Sequence, residues 1–244
     1  MKRLPTFILA SLLAIPALAE DIVFAVSTGS AMPMTEFRDG ALVGGLLKDF
    51  GDALARELKA QPRYLTFPRK RVESALTGGQ ADLVCDLRPE WLDSKEWRWT
   101  DTVFTNNMTV ASRKDTPPLP HLNALAGIRV GTLLGYRYQE TESVLAKSFL
   151  RDEALTDDIN LSKLLTHRYD YMLTNSLYFE YQRKVHAERQ RLNPVSFKIT
   201  SFDTYCALPP QGRWPADKVN RAIQALKGRG EIQAIMAHYR PVAN

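Results

Sequence analysis

Cysteine and histidine are scarce in this chain. Two cysteines in 244 residues exclude a disulfide-stapled scaffold. There is no CxxC and no HExxH, and His121, His167, His186 and His238 stand far apart, so no metal site and no cofactor are expected. Cys85 and Cys206 both lie in apolar, strand-like runs. A bridge between them is allowed in an oxidising compartment, and two buried thiols are the alternative. Glycine and proline, at 13 and 14, are too few for a collagen-like or low-complexity chain, and 45% hydrophobic with 24% charged residues describes a folded globular one. Long hydrophobic runs are also missing, with one exception at the N-terminus. There Lys2 and Arg3 flank an apolar stretch from Leu4 to Leu18 that ends in the small-x-small triplet Ala17-Leu18-Ala19. The stretch is shorter than the roughly 20 residues of a bilayer span and suits a cleaved signal peptide over residues 1–19. The expected product is exported and soluble. Losing Lys2 and Arg3 removes two charges from a formal net of +5, which leaves too little positive charge to argue for nucleic acid.

Strand and helix signals alternate along the rest of the chain. Ile22 to Val26 is a β-rich run, and Leu46, Phe50, Leu54 and Leu58 recur at helical spacing. Tyr64–Phe67 reads as a strand, Val72–Leu76 as a short helix closed by Gly78-Gly79, and Ala81–Cys85 as a buried strand. Strand, helix, strand, helix, strand predicts a parallel sheet covered by helices. The pattern then restarts, with strands at Met108–Ser112, Ile128–Gly131 and Tyr169–Leu173. Helices are expected near Tyr138–Phe149, Asn160–Thr166 and Ser176–Glu188. Val195–Ile199 and Thr204–Leu208 read as two more strands, and two apolar-periodic helices close the chain.

Seven segments, in order, resemble the bacterial periplasmic solute-binding proteins of amino-acid-type uptake systems (family 3), over essentially the whole mature length. They are Ile22–Met34 with its proline-containing turn, Asp39–Gly44 (similar to D-x-G-x-L-x-G), Leu76–Asp82 (L-x-x-G-x-x-D) and Trp99-Thr100-Asp101 (F-S-D). Leu125–Gly131 (L-x-G-k-x-V-G), Tyr169–Leu173 and Lys227–Ile232 complete the set. The resemblance implies an α/β, two-lobed periplasmic-binding-protein fold. Each lobe would be a mostly parallel sheet flanked by helices, with two crossing hinge strands. Lobe 1 would span 20–106 and 200–244, and lobe 2 would span 107–199. It also implies a periplasmic monomer, not an enzyme, that closes on a small solute by hinge motion and hands it to an ABC-type membrane transporter or a sensor.

The ligand clamp of that family is not preserved. The arginine that would hold an α-carboxylate falls on Asp93 or Ser94, and the acid that would hold the α-ammonium falls on Asn175. The stacking aromatics fall near Ala31 and Arg69. An ordinary α-amino acid is therefore not the expected ligand. Basic groups stand in the clamp's place, so a carboxylate-bearing or otherwise anionic molecule is expected instead. Arg69 and Arg71 open the short helix after Phe67, and the alternative for them is a solvated helix start. Asp86 and Arg88 follow the strand ending at Cys85, with a local ion pair as the alternative. Arg137 is expected at a helix N-terminus with its guanidinium in the cleft. Tyr136 and Tyr138 beside it would stack on a planar ligand or pack the lobe. Trp91, Trp97 and Trp99 are expected as core and hinge cover. Two other functions fit the same fold: an accessory docking module without a ligand, and a dehydratase acting on cyclic carboxylates. The latter needs an acid in the cleft, for which Asp86 and Glu140 are the candidates.

Overall fold

The computed structural model describes residues 19–185 and 190–240. The expected signal peptide, apart from Ala19, lies outside the described residues, as does His186. In chain order the elements are β1 (Asp21–Ser27), β2 (Glu36–Arg38), β3 (Ala41–Gly44), α1 (Leu46–Leu58), β4 (Gln61–Phe67), α2 (Val72–Thr77), β5 (Val84–Leu87) and β6 (Arg98–Trp99). Then come β7 (Phe104–Ser112), β8 (Arg129–Leu133), α3 (Gln139–Leu145), β9 (Leu150–Ala154), α4 (Asp157–Leu165), β10 (Tyr171–Asn175) and α5 (Ser176–Val185). The long β11 (Phe197–Leu208) precedes α6 (Ala216–Gly228) and α7 (Glu231–Tyr239).

In the first lobe β1 runs parallel to β4, from Asp21 opposite Gln61 to Ser27 opposite Phe67, and Phe24 bridges to Leu83 on its other side. The apolar stripe of α1 (Leu46, Phe50, Leu54) packs on Ile22 and Phe24 of β1 and on Val219, Ile223 and Leu226 of α6. Burying each such side chain contributes about 1.5–3 kcal/mol. In the second lobe β9, β8 and β10 are parallel, with one core around Val130, Leu173 and Tyr138 and another around Leu161, Leu164 and Met172. The long strands β7 and β11 pair antiparallel and pass through both lobes, giving the sheet order β5-β11-β7-β10-β8-β9 with β6 on β11. Apart from the antiparallel β2–β3 hairpin, the ladders within the lobes are parallel and the crossing strands pair antiparallel, so the long sheet is mixed. Among the described residues no helix is long and apolar enough to cross a membrane.

Several elements differ from expectation for local reasons. The two strands expected at 195–199 and 204–208 are one strand. Polar Ser201 and Asp203 interrupt the apolar signal but still pair with Asn107 and Thr105 of β7. The β2–β3 hairpin turns on Asp39-Gly40, both at positive φ, which is the Asp-Gly hairpin signal. The helix expected over 138–149 stops at Leu145, because Ala146 takes a positive φ and the chain then enters the charged edge strand β9. Cys85 and Cys206 are joined in a disulfide that ties β5 to β11. The apolar surroundings that suggested buried thiols are those of two adjacent strands, and adjacency brings the sulfurs together.

Candidate functional site

Between the lobes lies a cavity of about 90 Å³. Its walls come from both lobes. β1 and the turn after it contribute Ser27 and Ser30, and the end of β5 contributes Cys85 and Asp86. The turn after β8 contributes Tyr136, the first turn of α4 Asp157, and the end of β10 Thr174 and Asn175. Glycine is required at Gly135, where φ is +79° and an added Cβ would come within 2.8 Å of the Lys70 side chain.

Six of the eight expected site residues line this cavity: Arg69, Asp86, Tyr136, Arg137, Tyr138 and Asn175. Arg69 is half-buried against the Tyr136 ring, donates to the Trp91 carbonyl at 3.0 Å, and burial pulls its pKa down. Asp86 takes a positive φ of 60°, and burial pushes its carboxyl up to about 7, partly offset by the Thr204 hydroxyl. Arg71 is exposed and outside the cavity wall, the solvated helix start. Arg88 also lies outside it. Its partner is not Asp86: it pairs with Glu90 of its own lobe at 3.4 Å and Glu140 of the other at 3.1 Å, and it lies over the rings of Trp91 and Phe202.

Three of these residues are engaged by the protein itself. Arg137 does not present a free guanidinium to the cleft. It crosses to the first lobe, where it bonds the exposed Asp93 carboxylate and the Glu90 carbonyl. At the helix start behind it, the Glu142 carboxylate of α3 accepts the Tyr138 N–H. Asn175 is not a free acceptor for a ligand. Its side-chain oxygen caps α5 by accepting the Tyr178 N–H at 2.9 Å and also accepts from Asn106 at 3.1 Å. Tyr138 is buried in the second lobe's core, with its hydroxyl accepting the Leu133 N–H.

Trp97 is buried with its indole N–H on Glu73, and Trp99 packs edge-on against Tyr205, both as cover. Trp91 instead reaches the cavity wall, edge-on to Phe202. Asp157 and Thr174 were missed. Thr156 followed by two acids and an apolar-periodic run is a helix-start signal, and Thr156 does cap α4 by accepting the Ile159 N–H. That signal places Asp157 on the first turn but does not say that the turn faces the cleft.

The lobes touch across the cavity. Asp157 N–H donates to the Gly29 carbonyl at 3.0 Å, the Gln182 amide to the Met32 carbonyl at 3.0 Å, and Tyr136 and Ser30 share a hydroxyl contact at 3.3 Å.

No family model matches the sequence, and no curated protein matches it. Solved structures do. An ancestral amino-acid-binding protein, a precursor of cyclohexadienyl dehydratase, superposes with a TM-score of 0.77 at 17% identity, over 91% of this chain and 96% of that one. An amino-acid ABC transporter substrate-binding protein from Streptococcus pneumoniae, bound to L-arginine, gives 0.72 at 19% identity, over 90% and 94%. The GluR0 ligand-binding core from Nostoc punctiforme, in complex with L-glutamate, gives 0.73 at 13% identity, over 89% and 98%. Likeness at these identities is a likeness of fold, and it spans almost the whole of each chain: this protein has the two-lobed α/β periplasmic-binding-protein fold.

Proposed function

We propose that this chain is an exported solute-binding protein. It captures a small polar molecule between its lobes, meets a negative group of that molecule with Arg69, and delivers it to a membrane transporter or sensor. The observation that carries this is the cavity between the lobes with polar groups supplied by both, since a ligand there bonds to both and favours their closure. The fold neighbours named as amino-acid-binding proteins support the class, and the disulfide suits an oxidising compartment such as the periplasm. The proposed lobes are 20–106 with 200–244, and 107–199, in a monomer that follows signal cleavage after Ala19. With Asp93 and Ser94 in place of an arginine and Asn175 occupied as a helix cap, standard L-amino acids are expected to bind weaker than micromolar.

The test is mass spectrometry of the molecule released from gently purified protein, followed by small-angle scattering with that molecule removed and restored. A contraction on restoring it supports the proposal. A protein that releases nothing, and whose scattering is unmoved by periplasmic extract, is an accessory module instead. A dehydratase-like enzyme is a second reading, favoured by Asp86, whose carboxyl near 7 sits in the range of a general acid. It requires product formation from a cyclic carboxylate, lost in Asp86→Asn.

A further inference from the structure

Away from the cavity, several buried or shielded charged groups come with counter-charges. Asp82, 7% exposed, receives Arg213 at 2.6 Å. Arg113 pairs with Asp115 and Asp170, and Asp152 with Lys163 and Arg168. Asp157, only 5% exposed, has no cation within ion-pair distance among the described residues. Its carboxyl faces the Ala31 N–H and the neighbouring acid Asp158, with Tyr136 and Tyr138 close by. Arg69, although packed on Tyr136, makes no ion pair with it. A buried carboxylate without a cation is costly, so the group either keeps a proton or awaits a partner. It lines the cavity, where a partner can arrive. A second, independent group points the same way. The Thr174 hydroxyl lines the same cavity, belongs to a residue 5% exposed, and has no hydrogen-bond partner among the described residues.

We infer that the ligand carries a protonated nitrogen, held by the Asp157 carboxylate with the Thr174 hydroxyl accepting a further N–H. This rests on the cleft being a solute site, and it adds a positive pole to the negative group assigned to Arg69. The two poles are met from different lobes, so binding both draws the lobes together.

The test is calorimetry with three series of two to six carbons: linear carboxylates, linear alkylammonium ions, and ω-amino acids such as 4-aminobutanoate. The ω-amino acids are expected to bind at least about tenfold tighter than carboxylates of equal length. Asp157→Asn keeps the shape and removes the charge. It should weaken the two nitrogen-bearing series by about 10–150-fold and leave the carboxylates unchanged, the range for a charge-assisted hydrogen bond. Thr174→Val should weaken the same two series by roughly 2–12-fold. Carboxylates that bind as tightly as ω-amino acids, with Asp157→Asn changing neither, overturn the assignment while the solute-binding reading stands. No binding in any series overturns both. A thermal melt of each variant confirms that the losses are not misfolding.

Discussion

Asp82 and Asp157 are buried about equally and are held in opposite ways. Arg213 gives Asp82 two charge-assisted bonds, at 3.0 and 2.6 Å. Burial and the adjacent Asp158 push the Asp157 carboxyl up to about 8. The sign of the consequence follows from proton counting. Below the carboxyl's ordinary value of 3.8 the folded and unfolded chains are both protonated there. Between that value and about 8 the folded chain keeps a proton that the unfolded chain has released, so stability falls as pH rises and the loss is complete above about 8. Asp86, pushed up to about 7, acts in the same direction. Asp157→Asn removes its share of this slope. Its melting temperature, without ligand, should exceed the wild-type value by a margin that widens from about pH 4 to about pH 8 and then levels off. Parallel melts of wild type and variant would sink the idea if the margin stayed constant.

At the scale of elements, β11 is the member on which the site depends. It pairs with β5, β6 and β7, and its disulfide to Cys85 fixes the strand end that carries Asp86 into the cleft. The bridge closes a loop with a sequence separation of 121 residues, so it restricts the unfolded chain strongly. Reduction, or the double change Cys85→Ser with Cys206→Ser, should lower unfolding stability by about 2–5 kcal/mol in urea titrations. An unchanged midpoint in reductant would mean that the bridge restrains neither state. Helix α4 plays the corresponding part in the second lobe. Thr156 caps it, Leu161 and Leu164 anchor it in the core, and its first turn is thereby held against Gly29 of the other lobe.

At the scale of the whole molecule, closure is supported by two kinds of contact across the seam. Arg88 with Glu140 is partly shielded, at 18% and 33% side-chain exposure, whereas Arg137 with Asp93 is open, at 44% and 82%. Exposed pairs are weak and screened by salt. Arg137→Ala is therefore expected to keep the wild-type melting temperature and to weaken ligand binding by about fivefold or less. Titration of both proteins with the co-purified molecule checks this, and a hundredfold loss would return Arg137 to direct ligand contact.

What the sequence determined by itself is the succession of strands and helices, because apolar periodicity, helix starts and turns are written in neighbouring residues. Leu46 to Leu58 announces α1, and Leu76–Asp82 announces the step into β5, without reference to anything distant. The ordered family resemblance carried the two-lobed plan and pointed to Arg69, Asp86 and Tyr136, which line the cavity. Tertiary structure decided the partners. Arg137 and Asp93 are 44 residues apart, Asp157 and Gly29 are still further apart, and Cys85 meets Cys206 only because β5 lies beside β11. Whether a charge is free for a ligand depends on which opposite charge the fold brings within 4 Å of it. Coulombic attraction and desolvation act through space, and local sequence pattern does not record that distance.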